Sequence, residues 1–122
     1  MAITTAIYNF QNIKQGDTFK AKTFRVDLSE TEDYGDLTYV EMDFRKGSAN
    51  SCDKELELKS GSGITILNPA TRQFRIDRIE QFNLEPSYYV YSVRVTMVKD
   101  GVPTRRTYFE GGMTVIINTT RD

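Results

Sequence analysis

The sequence predicts an all-β chain, an antiparallel sandwich of about seven to nine strands. Three observations carry that prediction. The first is residues 88–98, which alternate without a break. Tyr89, Tyr91, Val93, Val95 and Met97 share one face, and Tyr88, Val90, Ser92, Arg94, Thr96 and Val98 the other. Period-two alternation of aromatic and β-branched residues is a strand signal, and the wholly apolar odd face belongs on a core. The second is the recurrence of turn chemistry roughly every eight to twelve residues, the spacing of sandwiches and barrels. The third is composition. The hydrophobic share is 39% counting Tyr and omitting Gly. On the usual counting this becomes roughly 40%, below the globular norm of about 45–50%, as strands with one solvated face require.

Taken in order, Ala6, Tyr8 and Phe10 share one face of a short edge strand that ends before Ile13, where the parity changes. Gln15-Gly16-Asp17 is a turn. In the next segment Phe19 and Phe24 differ in parity, which predicts a bulge or a strand that changes sheets. Residues 28–36 form an acidic loop. Val40, Met42 and Phe44 then point inward, with Tyr39, Glu41, Asp43 and Arg45 outward. After a polar connection, Leu56 and Leu58 mark a strand, Gly61-Ser62-Gly63 turns it, and residues 64–67 form a brief apolar strand. Asn68-Pro69-Ala70-Thr71 turns the chain again, and Phe74 and Ile76 lie on one face of the following strand. Ile79 and Phe82 stand three apart, predicting one helical turn.

Pro86-Ser87 opens the central strand, and Asp100-Gly101 supplies the positive-φ pair of a tight hairpin. Pro103 belongs at the start or edge of the returning strand, because it cannot donate a ladder hydrogen bond. Gly111-Gly112 predicts a kink before a last strand over residues 113–118. The expected core is Val40, Met42, Phe44, Phe74, Ile76, Tyr89, Tyr91, Val93, Val95, Val115 and Ile117. Tyr89 follows Leu84-Glu85-Pro86-Ser87-Tyr88 as the Tyr of a tyrosine corner does, its hydroxyl bonding back to upstream backbone.

At 122 residues the chain reads as a single domain, 1–122, large enough to bury a core without staples. Sixteen Lys and Arg against seventeen Asp and Glu give a net charge of −1. No bulk field therefore favours nucleic acid. The chain has no histidine, the usual general base and commonest zinc ligand. With no Ser–His nucleophile available and no carboxylate pair standing out, no catalytic residue is assigned and the chain is not read as an enzyme. Asp27, Glu30, Glu32, Asp33 and Asp36 offer oxygens to calcium, but their spacing departs from the helix–loop–helix pattern. They are read as a solvated loop, and neither metal nor cofactor is assigned.

Cys52 is the one cysteine and reads as a loop thiol, with an intermolecular bridge as the alternative. Arg72 and Arg75 fall on opposite strand faces, so with Arg78 and Arg105-Arg106 they make no single basic patch. Gly61-Ser62-Gly63 lacks the lysine and helix of a phosphate loop. The amino-terminal residues carry no basic, long apolar segment, so neither a signal peptide nor a membrane span is expected.

Several motifs together resemble small bacteriophage structural proteins. They are Gln15-Gly16-Asp17-Thr18-Phe19, Leu58 through Gly61-Ser62-Gly63-Ile64, and Asn68-Pro69-Ala70-Thr71. Further on come Leu84-Glu85-Pro86-Ser87-Tyr88-Tyr89-Val90-Tyr91, Lys99-Asp100-Gly101, Glu110-Gly111-Gly112 with Val115, and Thr120-Arg121. The family often has Gly where Ser87 stands and Asp where Ser92 stands. The resemblance runs over nearly the whole chain, and includes the amino-terminal domain of some baseplate upper proteins. It implies an immunoglobulin-like β-sandwich, a virion component of tail, baseplate or head decoration made in the host cytoplasm. It transfers no catalytic, cofactor or metal residue. The implied partners are other virion proteins and further copies in a ring or lattice, with neither nucleic acid nor membrane. A carbohydrate- or receptor-binding module is the alternative. Residues 113–122 or the amino-terminal segment 2–10 are expected to pack on a neighbouring subunit, because residues 113–118 carry no charge and an unblunted strand edge is a template for another chain.

Overall fold

In a computed structural model the described residues are 6–27, 34–47 and 54–117. They form one sheet of nine strands: β1 (Ala6–Ile7), β2 (Ile13–Lys14), β3 (Lys22–Arg25), β4 (Asp36–Lys46), β5 (Lys54–Ser60), β6 (Gly63–Asn68), β7 (Gln73–Ile76), β8 (Ser87–Lys99) and β9 (Val102–Ile116). The order is β1-β9-β8-β4-β5-β6-β7-β3, with β2 also on β9. The all-β class is as predicted. Most of the acidic loop, Cys52 and Thr120-Arg121 lie outside the described residues.

The expected antiparallel arrangement needs correction, because the sheet is mixed. β1 and β2 run parallel to β9, and β5 meets β6 in parallel. Alternation of side chains reveals a strand but not its direction. Only strands joined by a tight hairpin must be antiparallel, and β1 and β9 stand at opposite ends of the chain. The β5–β6 pairing is confined to Lys59↔Gly63 and Ser60↔Ile64 around a corner. There Lys59 and Ser62 exchange both backbone hydrogen bonds, at 3.0 and 2.8 Å. Gly61 and Gly63 take φ of 85° and 99°, which the corner requires of glycine.

β8 is the central strand, pairing with β4 on one side and β9 on the other. Its odd face is buried throughout, as is the Leu37, Val40, Met42 and Phe44 face of β4. A bulge between Leu37 and Tyr39 brings Leu37 and Val40 to one side although they stand three apart. Beyond the bulge the Ser60 hydroxyl accepts from Val40 N at 2.8 Å and donates to Val40 O at 3.3 Å. One side chain thus satisfies both backbone groups where the β4–β5 ladder ends. Asp100 and Gly101, at φ 53° and 79°, form the predicted hairpin. The Tyr89 hydroxyl donates to Glu85 O at 2.6 Å, making the predicted corner.

Other expectations change. The strand over 113–118 is not separate: β9 runs unbroken through Gly111-Gly112 to Ile116. Ile117 is 68% exposed and leaves the core. It shares parity with Met113 and Val115, but the ladder ends one residue before it. No helical turn forms at Ile79. Instead Phe19 and Ile79 exchange backbone hydrogen bonds of 2.8 and 2.9 Å, and Phe82 N donates to Asp17 O at 2.9 Å. Spacing of three arises here because pairing lapses between Ile79 and Phe82. The parity change from Phe19 to Phe24 is likewise an interruption within one sheet, and both rings are buried. β9 carries an unpredicted bulge at Tyr108 opposite Val93 and Arg94, which admits both Tyr108 and Phe109 to the apolar interior.

Val93 has no exposed surface. Val93→Ala is expected to lower stability by about 1–3 kcal/mol through lost burial and an unfilled cavity. Tyr89→Phe removes a buried hydroxyl bond and little volume, and is expected to cost about 0.5–1.5 kcal/mol. Urea denaturation midpoints check both. An unchanged midpoint for Val93→Ala would contradict the facing of β8.

Candidate functional site

The described residues form a concavity where the two ends of the curled sheet approach each other. One wall is the amino-terminal segment lying along β9. Tyr8 N donates to Glu110 O at 2.9 Å, Phe10 N to Gly112 O at 3.0 Å, and Gln15 N to Ile116 O at 3.0 Å. The register shifts from Ala6↔Phe109 to Ile13↔Val115, so one extra residue sits on the amino-terminal side. This accounts for the parity change between Phe10 and Ile13. Gly111 must be glycine, since a Cβ there would collide with the Tyr8 carbonyl. The Tyr91 hydroxyl donates to Tyr8 O at 2.5 Å, and the Asn9 carboxamide oxygen accepts from Gly112 N at 2.9 Å.

The uncharged end of β9 is therefore not the open edge expected from the sequence. Its backbone is paired by β1 and β2 of the same chain. The two expected contact segments lie side by side.

The facing wall is residues 17–22. Gly16, at φ 89°, turns the chain into it. Gly16 N donates to Phe82 O at 2.8 Å and the Thr18 hydroxyl to Glu80 O at 3.0 Å. Between the walls lies a groove of about 510 Å³, within the range of about 300–1,000 Å³ usual for ligand pockets. Tyr8, Phe10 and Phe19 line it, with Phe10 in ring contact with the other two at 5.0 and 5.4 Å. Lys14, Lys20 and Lys22 also line it, together with Asp17. Lys22 Nζ sits 4.8 Å from the Tyr8 ring centroid, a cation–π distance.

A smaller cleft of about 290 Å³ adjoins the groove through Phe10, Asn12 and Met113, and adds Asn9, Tyr88, Gly112 and Thr114. Tyr88 is half exposed, and its ring lies against Gly112 where a Cβ would stand. The aromatic thus covers backbone that a side chain would otherwise cover.

Ion pairs gather elsewhere. On the outer face Glu41 meets Arg94 at 3.5 Å and Arg105 at 3.0 Å, while Asp43 meets Arg45 at 3.5 Å and Lys54 at 3.9 Å. Arg75 pairs with Asp77 at 3.0 Å, Arg72 Nε donates to Val26 O, and Arg106 lies over the Tyr34 ring. The arginines singled out in the sequence are thus dispersed, as expected. Among the described residues, no ion pair links a carboxylate to Lys14, Lys20 or Lys22.

Of the calcium candidates, Asp27 and Asp36 are exposed, and Glu30, Glu32 and Asp33 lie outside the described residues. No group of three metal-ligating side chains occurs among the described residues. Sequence reasoning missed the groove. Its only trace was the clustering of Lys14, Lys20 and Lys22 around Gln15-Gly16-Asp17. Compared with known proteins, the chain matches no family model and no curated protein.

Burial first, and then the neighbouring Tyr8 and Glu110, push the Tyr91 phenol well above its ordinary value of 10.0. The folded chain therefore holds this phenol neutral after the unfolded chain ionises it near pH ~10. Its contribution is fully present below that pH and declines above it. Tyr91→Phe is expected to flatten the alkaline loss of stability between about pH 10 and 11, and to cost about 1 kcal/mol at neutral pH. Urea midpoints across that range check it. Parallel profiles for the two proteins would contradict the assignment.

Proposed function

We propose that this chain is a structural subunit of a bacteriophage particle, in its tail, baseplate or head decoration, and that it works by protein–protein contact. The fold in this reading is an immunoglobulin-like sandwich. In support, β9-β8-β4-β5 and β6-β7-β3 follow the strand order of the two sheets of a variable-type immunoglobulin domain, and Tyr89 makes the corner bond. The resemblance of the turn motifs to phage structural proteins points the same way.

The observation that carries the reading is one continuous surface at the carboxy-terminal end of β9. It runs from Tyr88 through Phe10 and Asn12 to the lysine-rimmed groove, with Ile116 and Ile117 exposed beside it. Apolar side chains exposed together beside polar ones mark interaction surfaces. A second reading, a carbohydrate- or receptor-binding module on the same particle, is favoured by the Tyr88 ring. It is half exposed and lines one cleft with Asn9 and Asn12, an aromatic side chain among amides.

The test is to purify particles from the host that carries the gene and look for the protein in them by mass spectrometry. It is expected there in a symmetric copy number, cross-linked to another virion protein. Ile117→Lys should lower incorporation about tenfold, the loss of one good contact residue, with circular dichroism unchanged. Absence from particles, with saturable binding of a glycan at Tyr88, would replace this reading by the second.

A further inference from the structure

We propose that the lysine-rimmed groove receives the acidic segment 27–36 of a second copy, joining copies head to tail. This rests on the reading of the chain as an assembly subunit and names the contact. Three features lead to it. The groove presents Lys14, Lys20 and Lys22 against the one carboxylate of Asp17, while the ion-pair clusters are gathered on the outer face of β4, β5, β8 and β9. Lys22 is held at the rim by the Tyr8 ring, a contact that leaves its charge available to an anion. The floor is aromatic, which suits the methylenes of an extended chain whose carboxylates reach the lysines.

The sequence holds one segment of matching chemistry. Residues 27–36 contain Asp27, Glu30, Glu32, Asp33 and Asp36 and no lysine or arginine. Its described carboxy-terminal end lies at the other pole of the molecule. Asp36 pairs with Val98, and Gly35 packs on Val98 and Lys99 beside the β8–β9 hairpin. The groove ends at Ile116, next to Val115, which pairs with Ser87. Along β8 that is eleven residues, about 35 Å of strand. The Lys14 and Lys20 end is thus remote from Asp36 of its own chain, and open to a second copy. Donor and acceptor surfaces differ, so the contact is heterologous and either closes into a ring or continues as a lattice.

The experiment uses the full chain and a synthetic peptide of residues 27–36. Titrated into isotope-labelled protein at low salt, the peptide is expected to shift amide resonances of residues 8–22 saturably. Raising the salt should reverse the shifts, because the contact is ionic and solvent-exposed. A scrambled peptide of the same composition should bind more weakly. The triple variant Lys14→Glu, Lys20→Glu, Lys22→Glu should bind about tenfold more weakly, the sum of three modest surface pairs.

A charge exchange removes dependence on any single variant. The groove variant and a second variant, Glu30→Lys, Glu32→Lys, Asp33→Lys, should each sediment as monomers alone and associate when mixed. Equal binding of the scrambled peptide, shifts on another face, or no association on mixing would overturn the proposal. So would groove shifts that follow the loop variant independently of concentration, since they would place the segment in its own groove. If peptide binding fails while the protein is found in particles, this inference falls alone. If binding holds while the protein is absent from particles, the particle reading falls and head-to-tail association stands.

Discussion

Phe24 closes the curled sheet. It lies on β3, the last strand in the sheet order, and its ring meets Tyr8 at 5.6 Å, Phe10 at 6.5 Å, Phe74 at 5.6 Å and Phe109 at 4.9 Å. Those partners come from the amino-terminal segment, β7 and β9, so one side chain ties the far end of the sheet to its beginning. A flat sheet would leave the buried faces of β8 and β4 without a covering layer. Curling brings β3 and β7 over them, and the aromatic layer fixes how far the curl proceeds. Offset and edge-on ring contacts, worth about 0.5–1.5 kcal/mol each beyond their burial, favour this spacing over a looser one.

Closure depends on backbone reaching backbone. At Gly111 the Tyr8 carbonyl occupies the space of a side chain, and the Tyr91 hydroxyl supplies that carbonyl with a donor from within the core. The same pair explains the groove. A wall held so close to β9 leaves its free side facing residues 17–22, which are themselves held by the Phe19–Ile79 and Asp17–Phe82 hydrogen bonds. The concavity is therefore made by two well-anchored walls, and its aromatic floor is a continuation of the core.

Charge follows the same division. On the outer face of β4, β5, β8 and β9, acids and bases alternate across neighbouring strands and neutralise one another, as in Arg94–Glu41–Arg105. Such pairs on wet strand faces add little stability but keep the face from attracting an unselected partner. The groove lysines stand apart from that network. The near-zero net charge conceals this division, because the acidic run of residues 27–36 in the sequence offsets the basic groove.

Much of the fold was legible in the sequence, and the legible part was local. The alternation of β4 and β8, the Asp100-Gly101 hairpin, the corner at Tyr89 and the part of the core that β4, β7 and β8 carry follow from neighbours within a strand. For those, side-chain parity and turn geometry leave few alternatives. Pairing direction, the continuity of β9 through Gly111-Gly112 and the exposure of Ile117 were decided by tertiary structure. So was the course of the chain from Ile79 to Phe82, bridged to Phe19 and Asp17. Each depends on a segment far away in the chain: β1 and β2 laid on β9, the end of a ladder, residues 16–19 pairing with 79–82. The groove belongs to this second kind. Lys14 and Lys22 lie on walls whose meeting depends on Tyr91 and Gly111, residues 69 to 97 positions away, and no local pattern encodes a contact of that range.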